Sequence, residues 1–155
     1  DPAAAARSLA AATLAAPRLR LPEVSQAASR VSALPAVRDA LFAFQRAFAR
    51  REGGAVLDGR DIGTVICPEA EAKLYVTASA EARAGRRFRE LGAAGVAVTY
   101  EGTLAEVAAR DARDASRDAA PLRAAEDAVV IDTSDLGIEE AVAAAMAVVR
   151  ARLGR

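Results

Sequence analysis

GAVLDGRDIGTVICPEAEAKLYVTASAEARAGRR, from Gly54 to Arg87, is the stretch that decides the fold. Two short apolar runs, GAVLDG and AKLYVTA, read as buried strands. The second feeds into SAEARAGRRFRELGAAG, a helix beginning near Ser79. Downstream the alternation continues, with TLAEVAARDARDASRD as a helix, DAVVIDTS as a third strand and IEEAVAAAMAVVRARLG as a closing amphipathic helix. Short apolar strands alternating with helices predict an α/β domain with a parallel sheet and flanking helices.

Upstream the chain is helical. DPAAAARSLAAATLAAP reads as one helix, with Asp1 as its cap, Pro2 at its first position and Pro17 at its end. LPEVSQAASRVSAL forms a second segment, broken at Pro35. AVRDALFAFQRAFARRE then sets Val37, Leu41, Phe44 and Phe48 on one face, and Gly53-Gly54 stops it. There is no internal repeat and no Gly/Ser linker, so residues 1–155 are expected to form a single domain.

Composition narrows the chemistry. The chain is 53% hydrophobic but only 4% aromatic, which predicts a core of Ala, Val and Leu with close helix packing. Formal net charge is +0, giving no global field to draw in nucleic acid or an anionic membrane. No apolar run reaches the roughly 18 residues that span a bilayer, and no signal peptide is visible, so a cytoplasmic protein is expected. With one cysteine and no histidine, disulfide frameworks, thiolate zinc sites and His-based triads are excluded within these residues. Lys73 is the sole lysine among the cations. Arginine suits bidentate phosphate contact, although a GC-rich coding sequence gives the same bias.

In open α/β sheets the ligand lies beyond the carboxyl ends of the strands. That rule singles out RDIGT after AVLDG, with Gly59 and Gly63 expected to let the backbone turn sharply, and TSDLG after VVID, where Asp132 is left open. A second candidate is AARDARDASRDAAPL, from Ala108 to Leu122. Arg110, Asp114 and Arg117 fall at i, i+4 and i+7, on one helical face. On spacing alone such a row is more often a solvated, salt-bridged surface. By the same standard Ser29 and Arg38 read as surface helix residues, Arg83, Arg86 and Arg87 as a wet helical face, and Cys67 as a small packing residue.

Together, LDGRDIGTVICPEAEAKLYVTASAEARAGRR, LAEVAARDARDASRDAAPL and AVVIDTSDLGIEEA closely resemble the bacterial cytidylate (CMP) kinases, from about Pro22 to the last helix. The pairing of GRD-x-GT with RD-x-R-D-x-x-R at this separation is specific; either alone is weak. The resemblance implies a P-loop nucleoside monophosphate kinase fold and an enzyme of pyrimidine nucleotide metabolism. The implied reaction transfers the γ-phosphoryl group of ATP, with Mg²⁺, to CMP or dCMP, in a monomeric cytoplasmic protein with no nucleic-acid or membrane partner. It also implies that Ser29, Arg38 and Asp61 read cytosine, that Arg60 and Arg117 hold the acceptor phosphate, and that Arg110 and Asp114 contact the sugar. Arg83, Arg86 and Arg87 fall in the ATP lid, with Arg86 singled out for ATP; Arg60, Arg117 and Arg86 are thus the implied catalytic set. Residues 18–50 correspond to the CMP-side helices and 83–100 to the lid. With that company, the face 110/114/117 is expected to meet ligand, and 111, 113 and 118 to form mostly solvated pairs.

The sequence departs from the family in one serious respect. No G-x-x-x-x-G-K-[ST] stretch is present, and Lys73 lies within AKLYV without a glycine-rich loop before it. The first strand and P-loop are expected to lie upstream of Asp1, and turnover is expected to be low without them. The stretch PRLRLPEV carries none of the small CMP-binding insert that many relatives have there, and Gly137 stands where a Ser or Thr cap is usual. The alternatives are a kinase for another monophosphate such as UMP, a non-catalytic CMP-binding fragment, and a helical domain whose arginines only solubilise it.

Overall fold

A computed structural model describes residues 1–9, 19, 21–115 and 122–154. The chain divides into two compact units, one within Asp1–Gly59 and the other built from residues 60–115 and 122–154.

The first unit is helical. In α1 (Pro2–Arg7), the Asp1 carboxylate accepts the Ala3 amide at 2.9 Å, with Pro2 in the first turn where its missing N–H costs nothing. This helix ends at Ser8, well short of the expected Pro17; residues 10–18 lie outside the described residues. α2 (Pro22–Val31) and α3 (Pro35–Ala49) each place a proline at the start, as expected from the break at Pro35. Gly53 and Gly54 follow α3 with φ of 84° and 83°, a backbone that side-chain-bearing residues avoid. The expected apolar face of α3 is only partly covered, since Val37 is buried and Leu41 half-buried while Phe44 and Phe48 are each 39% exposed. Helix lengths account for this. α1 packs on α3, but six residues span about 9 Å against about 22 Å for fifteen.

The second unit carries the sheet. β1 (Leu74–Thr77) and β2 (Val129–Asp132) pair in parallel, with Leu74 opposite Val129 and Thr77 opposite Asp132. The ladder extends by one bond at each end, from the Val129 amide to Lys73 O at 2.9 Å and from Thr133 to Thr77 O at 2.8 Å. Between them come α4 (Ala80–Ala93) and α5 (Tyr100–Ala115), the crossover that parallel strands require. Ser79 caps α4 as expected, its hydroxyl accepting the Ala82 amide at 3.1 Å. α5 begins three residues before the expected Thr103, because Thr99 supplies the cap, its hydroxyl taking the Gly102 amide at 3.1 Å. Ala84 and Leu91 bury the inner face of α4, and Phe88 meets Tyr100 edge-on with centroids 6.3 Å apart. α6 (Ile138–Leu153) packs on β2, and Glu140 bonds back to the Gly137 amide at 2.8 Å, replacing the missing side-chain cap. Cys67 is buried, as expected of a packing residue.

One expected strand is absent. GAVLDG forms no ladder, and Val56 is 95% exposed. An extended segment becomes a strand only when a neighbour takes its backbone hydrogen bonds, and among the described residues none does so. Gly63 does lie in a turn, but without the positive φ that would make glycine necessary there. It lies within a π-type turn, Ile62–Ile66, where an added Cβ would sit 3.4 Å from the Lys73 side chain. Lys73 is itself held by the Pro68 carbonyl and by Asp127 at 2.8 Å. Among the described residues no helix is long and apolar enough to cross a membrane.

Two arginines fix α4. Arg86 donates to Thr133 Oγ1 at 3.1 Å, to the Thr133 carbonyl and to the Leu136 carbonyl at 3.2 Å, tying the helix to the loop before α6. Arg83 donates both terminal nitrogens to Asp111 of α5, at 2.7 and 2.6 Å. Arg86→Ala should lower unfolding stability by about 1–2 kcal/mol in urea titrations, whereas an unchanged midpoint would mean that the clamp adds nothing. Hydrogen bonding from Arg83 holds the Asp111 carboxyl below the usual aspartate range, and Lys73 and Ser134 do the same for Asp127 and Asp132. In the unfolded chain these groups take up protons at higher pH than in the fold. Their stabilisation is therefore complete above the ordinary aspartate pKa and lost as pH falls through the lower, folded values. Urea midpoints should decline between roughly pH 5 and pH 2, with a shallower slope in Asp111→Asn.

Candidate functional site

Leu57–Asp58–Gly59 leads directly into Arg60 and Asp61, where the chain turns. The Asp61 carbonyl accepts the amides of Val65 at 2.8 Å and Ile66 at 3.2 Å, so the π-type turn closes onto this residue. Arg60 is thereby set at the mouth of the turn, and its Nε donates to Asp114 Oδ2 of α5 at 3.0 Å. Arg110 Nε lies 4.0 Å from the same oxygen. The i, i+4 spacing legible in the sequence brings Arg110 and Asp114 onto one face, and a residue 54 positions away completes the group.

The Asp114 side chain is only 3% exposed. A carboxylate so enclosed requires compensation, because removing its water shell costs several kcal/mol. Two guanidinium groups provide it and leave the cluster with a net positive charge. Among the described residues Asp114 is the only hydrogen-bond partner of Arg60, so its terminal nitrogens carry donors that those residues do not use. An arrangement of this kind has the chemistry to receive an anion with more than one oxygen.

Asp111 lies on a neighbouring face of α5. As the sequence suggested, it forms a partly solvated pair, with its carboxylate held in two-point contact by Arg83 from α4. Arg83 Nε also donates to the Ala78 carbonyl at 3.0 Å, just past the end of β1. Of the three arginines expected in the lid, Arg83 and Arg86 are thus bonded within the fold, and Arg87 pairs with Glu90 at 2.9 Å along α4 itself. Neither Arg83–Asp111 nor Arg86–Thr133 has a signal in local spacing, since the partners are 28 and 47 positions apart.

Ser29 and Arg38 belong to the first unit. Ser29 is buried within α2, contrary to its reading as a plain surface residue on spacing alone. Its carbonyl accepts the Ser32 hydroxyl at 3.1 Å, and Arg38 reaches back from the first turn of α3 to the Ser32 carbonyl at 3.4 Å. The two expected base-reading residues are therefore neighbours through Ser32. Asp61, the third, is buried in the second unit. Arg117 lies outside the described residues.

The family model described as cytidylate kinase matches residues 5–151. A cytidylate kinase of Cereibacter sphaeroides is 60% identical over 152 residues, covering 98% of this chain and 74% of that protein. One from Methylobacterium is 62% identical over 149 residues, covering 96% and 71%, and one from Xanthobacter autotrophicus 58% over 148 residues, again 96% and 71%. With the GRD turn joined to the arginine face of α5, and a match running through nearly every residue, the chain belongs to the cytidylate kinase family.

Proposed function

We infer that the chain acts in the transfer of the γ-phosphoryl group of ATP to CMP or dCMP, giving CDP or dCDP, and that its described residues supply the acceptor side. The observation that carries this is the convergence of Arg60 and Arg110 on the buried Asp114. A phosphate oxygen of CMP attacks the γ-phosphorus, the bond to the β-bridging oxygen breaks, and ADP departs. No proton has to be removed from the nucleophile when the acceptor phosphate is a dianion, which suits a site without histidine. The difficulty is electrostatic, because two polyanions must approach and be held in line. Arg60 and Arg117 hold the acceptor phosphate in this reading, Arg110 and Asp114 the sugar, and Ser29, Arg38 and Asp61 the cytosine. Mg²⁺ enters with ATP as part of the donor substrate; among the described residues no group of three or more acidic or thiol side chains is placed to hold a metal alone.

The lid arginines have a further requirement. Arg83 and Arg86 would have to leave Asp111 and the Thr133 loop to reach a triphosphate, so donor contact through them implies a rearrangement of α4. The reaction moves a phosphoryl group between two free nucleotides, and a monomeric cytoplasmic enzyme suits it.

Calorimetric titration of the chain should show CMP binding more tightly than UMP or AMP, with Arg60→Ala weakening CMP by about 10- to 100-fold. Equal affinity for all three nucleotides would remove the base-reading assignment. In a coupled assay, appending a strand–loop–helix unit that carries G-x-x-x-x-G-K-[ST] should raise turnover by at least about 10²-fold, on the scale of losing preorganised charge stabilisation. Equal rates with and without it would mean that the donor phosphates are held by other means.

A further inference from the structure

We propose that Asp111 is a positioning residue for the acceptor phosphate, acting through Arg83 to set the rotation of α5; the proposal rests on the acceptor-site reading above. Every nitrogen of the Arg83 guanidinium is engaged. Nε bonds the Ala78 carbonyl at 3.0 Å, and the two terminal nitrogens bond the two Asp111 oxygens at 2.7 and 2.6 Å. A planar fork held at three points has little rotational freedom, so the carboxylate it grips fixes the direction in which that side of α5 faces.

Helix geometry carries that direction to the site. At about 100° per residue, Asp111 lies roughly 60° around the axis from Asp114, with Arg110 on the far side of Asp114. Fixing Asp111 on Arg83 therefore fixes the angle at which Arg110 and Asp114 meet Arg60. Side-chain tips lie about 5–6 Å from a helix axis, so a roll of about 10° moves them by about 1 Å. Displacements of that size cost up to about 10²-fold where an anion must be held in line.

A second effect of Asp111 has the opposite sign. Its carboxylate feels the fields of Arg60 and Arg110, in addition to its bond with Arg83, and so competes with an incoming phosphate for them. For unit charges about 10 Å apart in water this competition is worth roughly twofold before salt screening. Positioning predicts weaker phosphate binding when Asp111 is neutralised, and charge competition alone predicts slightly stronger binding. The direction of the change separates them.

Calorimetry of the whole chain with CMP and with cytidine gives the gain in affinity due to the phosphate alone. Asp111→Asn should cut that gain by about tenfold while cytidine affinity stays within about twofold, and Asp111→Glu, which can still grip Arg83, should restore most of it. Should Asp111→Asn not fold, Arg83→Lys keeps the charge, removes the two-point contact and should show the same selective loss. A gain that is unchanged or larger in the variant, even with a lowered melting temperature, overturns the positioning role and leaves a contact that only stabilises. A wild-type chain that binds CMP no better than cytidine overturns the acceptor-site reading itself, and the proposal with it.

Discussion

A carboxylate removed from water cannot remain there as a lone charge, and in this protein that constraint falls on Asp114. Its resolution organises the second unit. Arg110 comes from the same helix one turn earlier, and Arg60 from a turn 54 residues upstream. To satisfy Asp114, the GRD segment must be brought against α5. The Asp61 carbonyl, bound by the amides of Val65 and Ile66, keeps that segment from straying. The ion pair thus works as a register mark between a loop and a helix, a role better supported for buried charges than net stabilisation.

The same logic extends outward at lower stakes. Asp111 is far more exposed than Asp114, so its pairing with Arg83 contributes less to folding than the two-point geometry suggests. Its importance is directional. Arg83 joins α5 to the end of β1, Arg86 joins α4 to the loop after β2, and Lys73 joins the residues after the GRD turn to Asp127. In each case a cation on one element is held by a carbonyl or carboxylate on another. With a core of small residues such as Ala78, Ala84 and Cys67, and few aromatic groups to interlock, polar links of this kind supply much of the orientation that larger side chains would otherwise give.

What was legible in the sequence follows the range of each interaction. Asp1 and Ser79 cap helices because a cap is settled within three residues, whereas α3 ends at Ala49, ahead of Gly53-Gly54, whose positive φ belongs to the turn that follows. The Arg110–Asp114 face was readable from helical spacing, and the family resemblance turned its reading from a solvated surface into a candidate site. GAVLDG was misread because strand formation depends on a partner that local pattern does not reveal, and the exposure of Val56 records the lack of one among the described residues. Asp111 was read as part of a solvated pair, and its partner was not legible for a related reason: it lies on another helix, 28 residues away, and no local period points there. Ser29 shows the converse, a polar residue that looks superficial on a helical wheel and is buried.

The use of arginine at position 60 has a chemical basis that composition alone could not establish. Its Nε–H edge is committed to Asp114, while the terminal nitrogens form a separate edge of the same plane. One guanidinium can therefore be fixed by the protein on one side and receive an anion on the other, and its orientation is set before any ligand arrives. A lysine ammonium has a single nitrogen at the end of a flexible stem; bonding Asp114 would leave its remaining hydrogens with no fixed direction. The one lysine in the chain is found where a single point of charge is enough, beneath the GRD turn, between a carbonyl and a carboxylate.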